Sequence, residues 1–106
     1  MDNDIIRSHL SGIILDEQST LTLAEVSRAC AVHAERIVEL VEEGVLAPVG
    51  DAPHRWRFTG PHMRRARMAL RLHHDLDINL AGVALALQLL DEVEILRARL
   101  RARGGD

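Results

Sequence analysis

The chain has 106 residues, of which 47% are hydrophobic, so it suits one folded domain and is too apolar for a disordered chain. A single cysteine, Cys30, excludes an internal disulfide and favours a reducing, cytoplasmic setting. No apolar run reaches the roughly 18 residues of a membrane span, and the acidic start predicts no signal peptide. Membrane proteins, secreted disulfide scaffolds and multidomain enzymes are therefore disfavoured.

The net charge of −3 is unevenly distributed along the chain. Residues 1–54 contain ten acidic residues and three arginines, whereas residues 55–106 contain six acidic residues and ten arginines. All 13 basic residues are arginine, and residues 55–74 include six of them with no acid. Such an uneven charge distribution is informative about binding partners rather than about the fold.

The first elements are predicted from local signals. Residues 1–12 are interpreted as an N-terminal extension, and residues 13–106 as a single domain that opens with a short strand at residues 13–15. Thr22 and Glu25 have capping-box spacing and predict the start of a helix. A second helix is expected from about residue 34 to 43, where Gly44 supplies a left-handed stop.

The second half continues with a predicted wing and two helices. Arg55, Trp56, Arg57 and Phe58 alternate in polarity, which predicts a strand with both aromatic rings on one face, packed in the core rather than stacked on bases. A third helix is expected to begin near Pro61. Asn79 is expected to cap a last helix over residues 80–103. This order predicts a mostly α, winged helix-turn-helix fold with a small β wing.

The last helix carries two apolar stripes. One has heptad spacing and the other runs beside it through Val83, Leu87 and Leu90. We expect one stripe to pack on the helix-turn-helix and the other on a second copy of the chain, which predicts a homodimer; the alternative is that both stripes are intramolecular. The predicted dimer interface is the heptad stripe, Ala86, Leu89, Val93, Leu96 and Leu100.

The second predicted helix is acidic where a DNA-reading helix would be basic. Its four glutamates are balanced by Arg36 alone, and most of them share one stripe. Such a stripe would meet phosphates with like charge, so direct DNA binding is not expected. Two interpretations remain: a solvated face, or a docking surface for a basic partner. The glutamates are Glu35, Glu39, Glu42 and Glu43.

The arginine-rich segment offers the counter-argument. Six arginines of the wing and the third helix could contact nucleic-acid phosphates: Arg55, Arg57, Arg64, Arg65, Arg67 and Arg71. Against this, Arg65 is expected to point away from the helical face that Arg64, Arg67 and Arg71 share. The favoured interpretation is instead that the acidic first half pairs with these arginines in the fold.

No catalytic or metal site is evident, so the chain is predicted not to be an enzyme and to need no cofactor. His73 and His74 are adjacent and would diverge on a helix, and the single cysteine is expected to pack in the core. No glycine-rich phosphate loop is present. Asp75 and Asp77 are expected to cap a helix.

Two stretches resemble a known group of proteins. Residues 21–46, LTLAEVSRACAVHAERIVELVEEGVL, resemble the helix-turn-helix of MerR-like regulators. Residues 71–92, RLHHDLDINLAGVALALQLLDE, together with the WRF of residues 56–58, resemble the chaperone-modulator (CbpM) branch of that superfamily. DNA-binding relatives carry Arg-Tyr-Tyr where this chain has Val38, Glu39 and Leu40.

This resemblance implies a protein-binding role, without catalysis. Members bind the J-domain of a DnaJ-like, curved-DNA-binding co-chaperone and thereby restrain its activity, and related proteins form dimers. By charge complementarity to a basic helix of the J-domain, the four glutamates are the predicted partner-binding residues, with Asp75 and Asp77 added. The alternative function is a MerR-like DNA-binding transcriptional regulator.

Overall fold

The computed structural model describes residues 19–104, and the predicted extension and first strand lie outside the described residues. The described part contains four α-helices and one short 3₁₀ helix, Pro53–Arg55. The mostly helical architecture with a helix-turn-helix at its start is confirmed. The helices are α1 (Leu23–Cys30), α2 (Ala34–Glu42), α3 (Gly60–Asp75) and α4 (Leu80–Ala102).

The first two helices form the predicted helix-turn-helix. The Thr22 hydroxyl accepts the Glu25 N–H at 3.1 Å, while the Thr22 N–H donates to the Glu25 carboxylate at 2.8 Å, which confirms the capping box. Ala31 then adopts a left-handed conformation with φ 58° and ends α1. Gly44 has φ 82°, as expected for the residue that ends the turn after α2.

The predicted β wing is wrong. Among residues 19–104 no strand forms, and residues 49–58 are a loop closed by the single residue pair Val49 and Arg57, which exchange backbone hydrogen bonds of 3.1 and 2.8 Å. Pro53 lacks an N–H and starts the 3₁₀ turn, in which the Arg55 N–H donates to the Ala52 carbonyl. This turn interrupts the extended chain before a ladder can develop.

The core lies between the helix-turn-helix and α3. Phe58 is fully buried at its centre, in edge contact with the half-buried Trp56 ring, so the expectation that both rings pack inward holds although no strand carries them. Phe58 also pairs through its backbone with Leu21, just before α1. The other buried apolar residues are Val26, Ile37, Leu40, Val45, Leu46, Met63, Ala66, Ala69, Val83 and Leu87.

The last helix is packed only at its start. The Asn79 side chain accepts the Gly82 N–H at 2.7 Å, which confirms the predicted cap. Val83 and Leu87 are buried, but Leu90 is 48% exposed, so the second stripe joins the core only in part. Residues 88–104 are all exposed. No helix among the described residues is long and apolar enough to cross a membrane.

Candidate functional site

The glutamates of α2 form a continuous exposed surface, here called the acidic surface: Glu35, Glu39, Glu42 and Glu43. Its position follows from the amphipathic pattern of α2, because Ile37 and Leu40 are fully buried on the opposite face. Within the described chain, the only ion pair to these carboxylates joins Arg36 and Glu39 at 3.1 Å. The last turn of α2 contains no basic residue, so the negative end of the helix dipole adds to the field.

A shallow hollow of about 300 Å³ lies at the start of the acidic surface. It is lined by the α1–α2 turn on one side and by Glu35, Arg36 and Glu39 on the other. Val32 contributes a half-buried apolar wall. The hollow therefore combines an apolar wall with two carboxylates and the Arg36 guanidinium.

The two aspartates lie elsewhere in the fold, at the connection between α3 and α4. Asp75 is the last residue of α3 and lies 3.1 Å from the ring of His74, while Asp77 is exposed with a left-handed φ of 56°. No hydrogen bond or ion pair between described residues connects them to the acidic surface. Neither caps α4, because Asn79 does so.

A second surface lies on α4 and is apolar, here called the apolar face: Leu85, Leu89, Val93, Leu96 and Leu100. These side chains are between 40% and 58% exposed. They point away from the core, since Val83 and Leu87 occupy the opposite side of the helix. Ala86, the remaining residue of the predicted stripe, is half-buried beside the face.

The expected pairing of the arginine-rich segment with the acidic first half is seen only in part among the described residues. Arg55 lies 3.8 Å from Asp51, whereas Arg65 lies 3.0 Å from Asp91 of the second half. No acidic side chain within residues 19–104 lies at ion-pair distance from Arg64, Arg67 or Arg71, and the glutamates of α2 face solvent. Four acids of the first half lie outside the described residues, so pairing with them stays a prediction: Asp2, Asp4, Asp16 and Glu17.

Cys30 is half-buried, and its thiol lies 3.7 Å from the Met63 sulfur. Burial raises the pKa of Cys30, and the nearby Arg67 guanidinium offsets part of that rise. The thiol is thus less acidic than usual, which suits packing rather than nucleophilic chemistry. In the part of the chain that the structure describes, no three metal-ligating side chains are grouped.

Two polar contacts at the core edge have no counterpart in the predicted site. The Arg65 guanidinium donates to the Val45 carbonyl at 2.6 Å and to Asp91 at 3.0 Å. His62 caps α3 through Thr59, and burial lowers its pKa, with a hydrogen bond to the Ala47 backbone acting in the opposite direction. Only the spacing of Thr59 and His62 carries a sequence signal.

Comparison with known proteins connects this arrangement to a family. The model of the MerR HTH family regulatory proteins matches residues 21–102, which include both surfaces. A chaperone modulatory protein CbpM of Coxiella burnetii (strain Dugway 5J108-111) is 40% identical over 92 residues, covering 87% of each chain. The chain belongs to the CbpM family. A CbpM of Pseudomonas putida (strain W619) is 38% identical over 78 residues, covering 74% of this chain and 77% of its own.

Membership in the CbpM family agrees with the helix-turn-helix and its divergent α2. The matched relatives are named as chaperone modulators and the matching family model as regulatory proteins; neither name denotes an enzyme. A CbpM of Pseudomonas entomophila (strain L48) shares 36% of 78 aligned residues.

Proposed function

We propose that this chain is a homodimeric chaperone modulator that binds the J-domain of a DnaJ-like co-chaperone and inhibits its activity in the cytoplasm. The observation that carries the proposal is the acidic surface, an exposed array of carboxylates on the helix that would otherwise read DNA. The names of the CbpM relatives support the modulator role. The lone cysteine supports the cytoplasmic setting.

Electrostatics supports a basic partner helix as the ligand. Within the described residues three of the four glutamates lack an ion pair, so their charges are available to an incoming cation. An exposed charge array of this kind accelerates encounter and fixes orientation more than it adds raw affinity. The hollow beside Glu35 and Glu39 gives a long basic side chain a place to lie. Asp75 and Asp77 are a secondary contact in this proposal.

Charge reversal tests the partner. In Glu39→Arg/Glu42→Arg, affinity for the purified J-domain should fall by about tenfold or more, and its dependence on salt should weaken. The matched control is a pair of single variants, Glu39→Arg and Asp51→Arg: each changes the net charge by the same amount at an exposed acid with an arginine partner, but Asp51 lies outside α2 and outside the apolar face. Titration calorimetry at two salt concentrations measures both. Unchanged affinity in a folded α2 variant would overturn the proposal.

Dimerisation is supported by the exposed length of α4. Residues 88–102 extend over about 22 Å with an apolar face that nothing in the described chain covers. A lone helix of this length is marginal in water, and such a row of leucines favours burial. Antiparallel pairing would also place Asp91, Glu92 and Glu94 of one copy near the late arginines of the other.

Light scattering at micromolar concentration tests the dimer. We expect a dimeric mass for the native chain and a monomeric mass for Leu96→Glu, which introduces a charge into the middle of the apolar face. Ile95→Glu is the matched control, because Ile95 is similarly exposed, at 45%, but lies about 100° away around the helix. A monomeric native chain would refute this part of the proposal.

A second candidate function, DNA binding, rests on the unpaired arginines of α3. Arg64, Arg67 and Arg71 lie on one helical face with no acid at ion-pair distance among the described residues. A gel shift with the DNA upstream of the gene discriminates the two functions. Sequence-selective retardation that is lost in the triple arginine-to-glutamine variant would favour the regulator.

A further inference from the structure

His62 occupies a junction where three segments of the chain meet. The Thr59 N–H donates to its Nδ1 at 2.9 Å, and the His62 N–H donates back to the Thr59 hydroxyl at 3.4 Å. This is a capping box in which histidine replaces the usual Glu or Gln. A backbone N–H can only donate, so Nδ1 must be unprotonated in this arrangement.

The rest of the ring contacts the wing loop and the chain after α2. The ring meets Phe58 edge-on, with centroids 6.1 Å apart and an interplanar angle of 86°. Phe58 is fully buried and hydrogen-bonded to Leu21. The backbone of Ala47, in the chain after α2, also interacts with the ring and favours its charged form.

We propose that His62 is a pH-sensitive latch: its neutral ring accepts the Thr59 N–H and so closes the cap at the start of α3 beside the wing loop, and protonation of the ring opens that cap. The proposal concerns the stability of the fold and does not depend on the proposed partner. It assigns a regulatory role to a side chain outside both interaction surfaces.

Three effects oppose a proton on this ring. A protonated Nδ1 would present an N–H to the Thr59 N–H, so the cap would lose its acceptor. The added positive charge would lie in the first turn of α3, at the positive end of the helix dipole. The ring is also half-buried, which disfavours its charged form and lowers the pKa of His62. The Ala47 hydrogen bond favours the charged form but is the smaller influence.

The residues that face the ring, Thr59, Phe58 and Ala47, are uncharged. Arg65 lies one turn further along α3, and its guanidinium donates to the carbonyl of Val45. Asp91 of α4 pairs with Arg65 and attenuates that charge.

The sign of the pH dependence follows from these contacts. The folded chain holds His62 with a pKa below its ordinary value of 6.5, so below that pH the folded state binds fewer protons than the unfolded state. The stability that the latch contributes is complete above 6.5 and is lost as the pH falls through the folded-state pKa.

The latch is tested by measuring the free energy of unfolding in urea for the full native chain and for His62→Gln. Both are measured at about pH 7.5 and at about pH 5, with one protein concentration throughout. Glutamine can accept the Thr59 N–H but cannot titrate. We expect the folding equilibrium constant of the native chain to fall by a larger factor between these two pH values than that of His62→Gln. The ratio of the two factors should be about ten for each unit by which the folded-state pKa of His62 lies below 6.5. His54→Gln, an exposed histidine on the 3₁₀ helix, should behave like the native chain.

An NMR titration of the native chain gives an independent readout. The His62 ring should titrate below 6.5, and the protection factor of the Thr59 amide, which corrects for slower intrinsic exchange at lower pH, should fall once it does. Equal pH dependence in the native chain and His62→Gln would overturn the proposal. So would a ring pKa at or above 6.5, and this second criterion applies even where the glutamine variant fails to fold.

Discussion

Replacement of Arg65 by alanine should destabilise the chain because this side chain joins the loop after α2 to both α3 and α4. Its Nε donates to the carbonyl of the buried Val45 at 2.6 Å, and its Nη1 donates to Asp91 at 3.0 Å. A hydrogen bond from a charged donor to a buried carbonyl contributes about 1.5–3 kcal/mol. The Asp91 contact is worth about 0–1 kcal/mol, because the Asp91 side chain is 55% exposed. We therefore expect Arg65→Ala to lower the free energy of unfolding by about 3 kcal/mol.

Urea denaturation at fixed protein concentration measures this effect, with Asp91→Ala as the comparison. Asp91→Ala should lose less than about 1 kcal/mol, and the Arg65→Ala effect should persist in the double variant. Arg65→Lys should fall between the two, since an ammonium cannot reproduce the two directed N–H groups. If Asp91→Ala lost as much stability as Arg65→Ala, the ion pair would dominate and the assignment to the Val45 carbonyl would be wrong.

Three further substitutions test the loops and the core by the same assay. Gly50→Ala should lose about 2 kcal/mol or more, because its φ is 126° and an added Cβ would lie 2.6 Å from the Arg55 carbonyl oxygen. Gly44→Ala, with φ 82° but open space around it, should lose only about 1–2 kcal/mol, and equal losses would contradict the steric argument. Phe58→Ala should lose about 3–5 kcal/mol, since the ring is fully buried; a loss under about 1 kcal/mol would show that the core does not depend on it.

Helix ends were predictable from the sequence because the interactions that define them are local. The Thr22–Glu25 box and the Asn79 cap each join residues three positions apart, so the spacing alone specifies the contact. The buried faces of α1, α2 and the start of α4 are similarly encoded by helical periodicity. These signals sufficed for the helix-turn-helix and for the separation of the acidic surface from the core.

The wing and the polar contacts were not predictable in the same way. The alternating polarity of residues 55–58 indicates which side chains face the core, but it does not require a strand. An irregular extended loop can turn the same two rings inward. Whether a ladder forms depends on the partner segment, where Pro53 introduces a turn instead. Arg65 bonds to residues 20 and 26 positions away, a distance that no local pattern encodes.

The acidic surface carries an energetic disadvantage that points to its use. Glu42 ends α2 one turn after Glu39, beside the negative end of the helix dipole and with no base in the last turn. Like charges at this spacing and an acid at a helix C-terminus are each unfavourable by a few tenths of a kcal/mol. Glu42→Gln should therefore stabilise the free chain by about 0.5 kcal/mol and yet weaken its binding to the J-domain. If Glu42→Gln lowered the stability of the chain, the Glu42 carboxylate would be stabilising the fold and the reasoning would be wrong. Higher stability together with weaker J-domain binding is the result that the proposed binding surface predicts.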